Sequence, residues 1–264
     1  RTIVKRRHNH TVKVHNRYQQ RGGEDTVVEN EKNLLEAHGH KVILYTRDNR
    51  ELNNYGLLRR LSLPFAAIFN PRTYKEIRNI IRRESIDIVH VHNTLTLISP
   101  SVYYAAQSLN IPVVHTVHNF RLLCPNALLY RDGHICEDCL TKGLFSAVKH
   151  GCYRNSRLQT LICVINTKLH RASGIYGKIN YICLTDFNRE KLLKVNRKKT
   201  YIDPARVFVK PNFTPDFNLA GNGASKREGF IYAGRLEEIK GAGHGFEGED
   251  SIRVRMLSEE FVMF

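Results

Sequence analysis

The chain has 264 residues, 42% of them hydrophobic, with 41 Lys and Arg against 25 Asp and Glu and a formal charge of +16. This apolar content excludes wholesale disorder and leaves room for one large core or two smaller ones. No run of about 18 apolar residues occurs, which excludes a membrane-spanning helix. The basic stretch Arg1–His10 lacks the apolar centre of a secretory leader, so the sequence predicts a cytoplasmic protein. Basic clusters recur at Lys5-Arg6-Arg7, Arg59-Arg60, Arg82-Arg83 and Arg197-Lys198-Lys199. They read as solvated helix faces, or as a peripheral contact with the anionic inner face of a membrane, where each basic residue contributes about 1 kcal/mol. Nucleic acid is not expected, since no nucleic-acid module accompanies the charge.

In chain order, the first unit runs from Val14-His15-Asn16-Arg17 through Arg21-Gly22-Gly23-Glu24-Asp25 and a helical pattern to Lys41-Val42-Ile43-Leu44-Tyr45-Thr46. It reads as strand, Gly-Gly loop, helix, strand. Paired glycines let the backbone approach a ligand and take positive φ. The N–H groups opening the helix then point at an anion such as a diphosphate, or at a sugar hydroxyl beside one. A tight turn without a ligand fits the same residues, and Glu24 suits the first turn of a helix in either case.

Asn70-Pro71 opens the next helix with a cap and a proline at the first position. Tyr74, Ile77, Ile80 and Ile81 form its apolar stripe. Strands follow at Ile86–His92 and Ile111–Thr116, with a helix from Ser99-Pro100 to Leu109 between them. After an irregular stretch from Phe120 to Arg157 come a helix near Leu158–His170, a strand at Tyr181–Thr185, a helix near Asp186–Val195 and a last strand at Val207–Asn212. This alternation specifies a doubly wound parallel sheet with right-handed crossovers, a Rossmann-like α/β layer.

The predicted organisation is an irregular basic N-terminus at 1–11, the Rossmann-like domain at 12–217 with a Cys-rich insertion at about 120–157, and a polar linker at 218–228. A second domain starts at 229–241 with Phe230-Ile231-Tyr232-Ala233-Gly234-Arg235-Leu236, and the tail 242–264 does not continue it. About 35 residues cannot bury a nucleotide-binding core, so the tail reads as an early end or as another reading frame.

Cys124, Cys136, Cys139 and Cys152 fall within 29 residues, and Cys136-Glu137-Asp138-Cys139 has the two-residue spacing of a zinc knuckle. The cluster is read as a possible structural zinc site, with His134 and His150 as alternative ligands. Reduced, partly buried thiols and redox chemistry are the other two readings. Four protein ligands leave no open position, so no catalytic metal is expected. Cys163 and Cys183 sit in apolar helix and strand contexts and read as core.

Together, Arg21-Gly22-Gly23-Glu24-Asp25, His90-Val91-His92-Asn93, His115-Thr116-Val117-His118-Asn119, Lys210-Pro211-Asn212, and Gly234-Arg235-Leu236 with Lys240-Gly241 resemble glycosyltransferase family 4 over roughly residues 12 to 241. The resemblance implies half of a two-domain GT-B fold and a retaining transferase. Such an enzyme moves a sugar from a nucleotide-diphosphate sugar to a glycan or lipid-linked glycan acceptor, in surface polysaccharide or lipopolysaccharide synthesis. It implies that Arg235 and Lys240 stabilise the departing diphosphate, that Gly22, Gly23 and Glu24 lie beside diphosphate and acceptor, and that His118 contacts the donor sugar. His118 and His92 both end strands, where open α/β sheets bind ligands. Asn119 stands where many family members carry Asp, which argues against a base there. The family's pair of Glu residues in the second domain has no counterpart here, so the chain by itself is expected to be inactive. The alternatives are a non-catalytic Rossmann-like binding module and a zinc-stabilised basic nucleic-acid binder.

Overall fold

Val12 and Val14 alternate with Lys13 and His15, yet every one of these residues is buried. That is the pattern of a strand covered on both faces, as parallel sheets require. The computed structural model describes residues 9–19, 22–197 and 199–214. Its elements begin with β1 (His10–Arg17), α1 (Gly23–Ala37), β2 (Lys41–Asp48), α2 (Leu57–Ile68), α3 (Pro71–Arg83) and β3 (Ile88–Asn93). They continue with α4 (Ser101–Gln107), β4 (Val113–Val117), the hairpin strands β5 (Tyr130–Arg131) and β6 (His134–Ile135), α5 (Asp138–Thr141) and α6 (Phe145–His150). The last are α7 (Arg157–Ala172), β7 (Asn180–Cys183), α8 (Asp186–Leu193) and β8 (Val207–Val209).

The main sheet has the order β2-β1-β3-β4-β7-β8, and each neighbouring pair is parallel. From β1 the chain goes outward to β2, then crosses back to place β3 on the other flank of β1. The strand order therefore reverses between β1 and β3, and a crevice opens at their C-terminal ends. This is the predicted doubly wound Rossmann-like α/β fold.

The helices that cover the sheet are built as the sequence reading expects. Asn70 caps α3 by accepting from the N–H groups of Arg72 and Thr73, with Pro71 at the first position. Its stripe then buries Ile77 and Ile81, with Tyr74 and Ile80 against the same core. Val102, Ala105 and Ala106 of α4 join that layer, as do Val89 and Val91 of β3. Cys163 and Cys183 are buried, as predicted.

One helix escapes the sequence reading. The sequence reading delimits no element between Thr46 and Asn70, yet α2 forms there with Pro64 inside it. Its apolar residues Leu57, Leu58, Leu61 and Phe65 face outward, so the periodicity marks no buried face. The linker at 218–228, the start of a second domain at 229–241, the tail at 242–264 and most of the N-terminus at 1–11 lie outside the described residues.

Candidate functional site

Three strands deliver histidines to the crevice: His15 from β1, His92 from β3, and His118 directly after β4. The loops around them are fixed by buried asparagines. The Asn16 side chain donates to Asn49 Oδ1 (2.9 Å) and accepts from the Leu97 N–H (3.1 Å), while Asn93 Nδ2 donates to the Asn16 carbonyl (3.0 Å). One residue thus ties together the exits of β1, β2 and β3, and a register shift at Val14/His15 turns the end of β1.

The predicted Gly-Gly loop enters α1 here, with a correction. Gly22 has φ −130° and ψ 174°, ordinary extended backbone, so no left-handed conformation is used. What glycine supplies is space, since a Cβ at Gly22 would meet nothing within 4 Å. Gly23 opens the helix. The Gly22 N–H donates to Asp25 Oδ2 (2.9 Å), and the other carboxylate oxygen of Asp25 lies 3.0 Å from His15 Nε2. Burial would raise the pKa of Asp25, but the bonds from His15 and Gly22 outweigh it and hold the carboxyl below its usual range. Glu24 turns inward instead of only complementing the helix. Its Oε1 accepts from Asn119 Nδ2 (3.2 Å), and its Oε2 is buried with no partner among the described residues. Burial raises its pKa.

Beneath this mouth lies a cluster the sequence reading missed. Lys13, fully buried, places Nζ 2.6 Å from Glu31 Oε2, 3.3 Å from His90 Nδ1 and 3.4 Å from His92 Nε2. Glu31 Oε1 also accepts from Lys210, just beyond β8, at 3.2 Å. Burial lowers the pKa of Lys13 and Glu31 draws it back up, while Lys13 and His90 outweigh burial at Glu31 and hold it low. The two form an ion pair at 2.6 Å. Burial holds His90 to about 3 and His118 to about 4, and keeps His92 well below its ordinary value, so all three rings are neutral at neutral pH. His92 Nδ1 lies 3.0 Å from His118 Nε2, which carries the network to the surface of the crevice.

Among the described residues, Glu31, His90 and His92 are the metal-capable set whose donor atoms lie within 4.8 Å of one another. The Lys13 ammonium already occupies the position a cation would take there. The predicted zinc ligands are not drawn together to that degree. Cys124 Sγ donates to Asn126 Oδ1 (3.0 Å), and burial pushes the Cys152 thiol up while the nearby Arg131 guanidinium draws it down.

Of the predicted ligand-binding residues, Gly22, Gly23, Glu24, His92 and His118 therefore meet at one place, with Asn119 joining Glu24 to the end of β4. Arg235 and Lys240 lie outside the described residues. Lys13, Glu31 and His90 carried a usable signal. A lysine between Val12 and Val14 in a strand covered on both faces demands a partner, and Glu31 stands in the apolar stripe of Val27, Val28, Leu34 and Leu35. The pairing of Lys13 with His90 in the sheet register completes the set.

Beside these residues, His92, Thr94, Tyr103, His118, Arg121 and Asn166 line part of a cavity of about 60 Å³.

Residues 21–138 match the sequence profile of Glycosyltransferase Family 4. Over 108 residues the chain is 30% identical to the alpha-monoglucosyldiacylglycerol synthase of Streptococcus pneumoniae, covering 38% of this chain and 24% of that protein. An uncharacterized 42.6 kDa protein in the cps region of Klebsiella pneumoniae is 32% identical over 108 residues, covering 39% of this chain and 29% of its own length. The matches thus span less than a third of either relative. A solved glycosyltransferase from Rickettsia africae aligns at 16% identity over 78% of this chain and 46% of that one, with a TM-score of 0.39, too slight a likeness to bear on the assignment. The similarity to Glycosyltransferase Family 4 therefore covers residues 21–138, less than half of the chain.

Proposed function

We propose that this chain forms the acceptor-side domain of a retaining glycosyltransferase that moves a sugar from a nucleotide-diphosphate sugar to a glycan or lipid-linked glycan. The observation that carries the reading is the convergence of His92, His118, Asn119, Glu24 and the start of α1 at the switch point of the sheet, inside the segment that matches the family. Glu24, with one carboxylate oxygen buried and unpartnered, suits a ligand hydroxyl. The α1 N-terminus, opened by Gly23 beside the uncrowded Gly22, suits an anionic diphosphate. Arg235 and Lys240 are assigned to stabilising the leaving diphosphate, and the setting is surface polysaccharide synthesis.

A lipid-borne acceptor is favoured by α2, whose outward Leu57, Leu58, Leu61 and Phe65 flank Arg59 and Arg60. That combination suits the anionic face of a membrane. The relative from Streptococcus pneumoniae, by its name, makes a glucosylated diacylglycerol. No helix among the described residues is long and apolar enough to cross a membrane.

The test is ligand-observed NMR on the purified chain. The panel comprises nucleotide-diphosphate sugars, free glycans, and glycolipid acceptors in phosphatidylglycerol vesicles. Saturation transfer to a donor or acceptor that disappears in His118→Ala and Glu24→Ala supports the reading. Transfer to none, or equal transfer in both variants, overturns it. Metal analysis separates the readings of Cys124, Cys136, Cys139 and Cys152: one equivalent of zinc, lost in Cys136→Ser and Cys139→Ser, makes them a structural zinc site, and a zinc-free parent excludes one.

A further inference from the structure

An ammonium group has three N–H donors and no acceptor, and Lys13 is fully buried with three acceptors around Nζ: Glu31 Oε2, His90 Nδ1 and His92 Nε2. Each donor must go to one of them, because an unpaired buried N–H on a charged group is costly. This count assigns the protons on the rings. His90 accepts at Nδ1, so it carries its hydrogen on Nε2 and donates it to Thr116 Oγ1 at 2.8 Å. His92 accepts at Nε2, so its hydrogen is on Nδ1, which faces His118 Nε2 at 3.0 Å. His118 Nε2 must then accept, which leaves the hydrogen of His118 on Nδ1. That atom has no hydrogen-bond partner among the described residues, and the ring lines the crevice.

We infer that Lys13 is a positioning residue that acts through His92 to fix His118 as an Nδ1–H donor toward the crevice. The consequence for chemistry is specific. His118 offers its ligand a hydrogen bond, and its one lone pair is already committed to His92. It therefore binds an oxygen, a sugar hydroxyl or a phosphate oxygen, and does not take a proton as a base. The identity of that ligand rests on the proposed function; the tautomer does not. The competing arrangement has His92 Nε2–H donating to Glu31 Oε2, 3.5 Å away. It reverses both rings and strands one N–H of the buried ammonium, while Glu31 Oε2 already receives the 2.6 Å bond from Lys13.

The experiment is a two-bond nitrogen–proton correlation spectrum of the chain labelled with ¹⁵N-histidine, without ligand. The expected pattern is Nδ1–H for His92 and His118 and Nε2–H for His90. Lys13→Met removes the donor and turns the single His118 tautomer into a mixture. Glu31→Gln keeps the Lys13 donor and leaves the His118 tautomer unchanged, a contrast that a merely structural role for the pair would not give. His118 found as Nε2–H in the parent overturns the inference, and that reading needs no variant to fold. An unchanged tautomer in Lys13→Met overturns it too. A ligand that binds in the NMR panel without shifting the His118 Nδ1–H signal removes the donor role while leaving the glycosyltransferase reading intact.

Discussion

The apolar layer beneath α3 and α4 and the polar cluster between β1, β3 and α1 are both buried, and they are held together by different rules. Under α3, Ile77, Ile81, Val102 and Ala106 are interchangeable in kind, and each contributes through area removed from water. Between β1, β3 and α1, Lys13, Glu31, His90 and His92 each depend on particular atoms of the others. The first region degrades gradually when altered. The second fails when one partner goes, because what remains is a buried charge or an unpaired donor.

The sharpest break between the two regions comes from Glu31→Ala, which leaves the Lys13 ammonium without its counter-charge. A loss of about 3–5 kcal/mol in urea unfolding is expected. The double substitution Lys13→Met/Glu31→Gln recovers much of it, because it removes the charge together with its partner. If the single and double variants lose the same amount, the pair is not the coupled unit described.

Acidification separates the regions next. His90 and His92 are neutral when folded, with pKa values held below the ordinary 6.5 by burial. Above that value they are neutral in both states and cost nothing. As pH falls below about 6.5 the unfolded chain takes up protons that the folded one refuses, so stability declines, by about 2 kcal/mol at about pH 5 for His90 alone, with His92 acting in the same direction. The decline continues toward the folded value of about 3 for His90. Unfolding midpoints measured from pH 7 to pH 5 check this, and a flat profile contradicts the buried neutral rings. The smallest effect belongs to the apolar layer, where Ile77→Val is expected to cost about 1 kcal/mol. The cost should be the same at pH 7 and pH 5, because no titrating group is involved.

The same contrast explains what the sequence disclosed. The apolar layer is periodic, so α3 could be read from its cap and the spacing of Tyr74, Ile77, Ile80 and Ile81, and the sheet strands from their β-branched runs. Periodicity fails where an apolar stripe faces outward, and α2 went unseen for that reason. The polar cluster has no period. Lys13, Glu31 and His90 come from two strands and a helix, and only the pairing of β1 with β3 brings them together. His92 and His118 were accessible because each ends a strand, and ends of strands are where such sheets bind ligands. The role expected of Gly22 in backbone conformation did not hold, since sequence alone cannot distinguish a glycine needed for φ from one needed for space.

The contact between Glu31 and Lys210 spans 179 residues. On a ribosome adding about 5–20 residues per second, Glu31 emerges roughly 9–36 s before the lysine that completes its partners. During synthesis the segment through α1 and β2 carries a Lys–Glu pair with no β3 beside it, and therefore no His90 or His92 to share its donors. Glu31 cannot gain its second cation until Lys210 has been made, and a nascent chain stopped anywhere before Lys210 leaves the crevice without that contact.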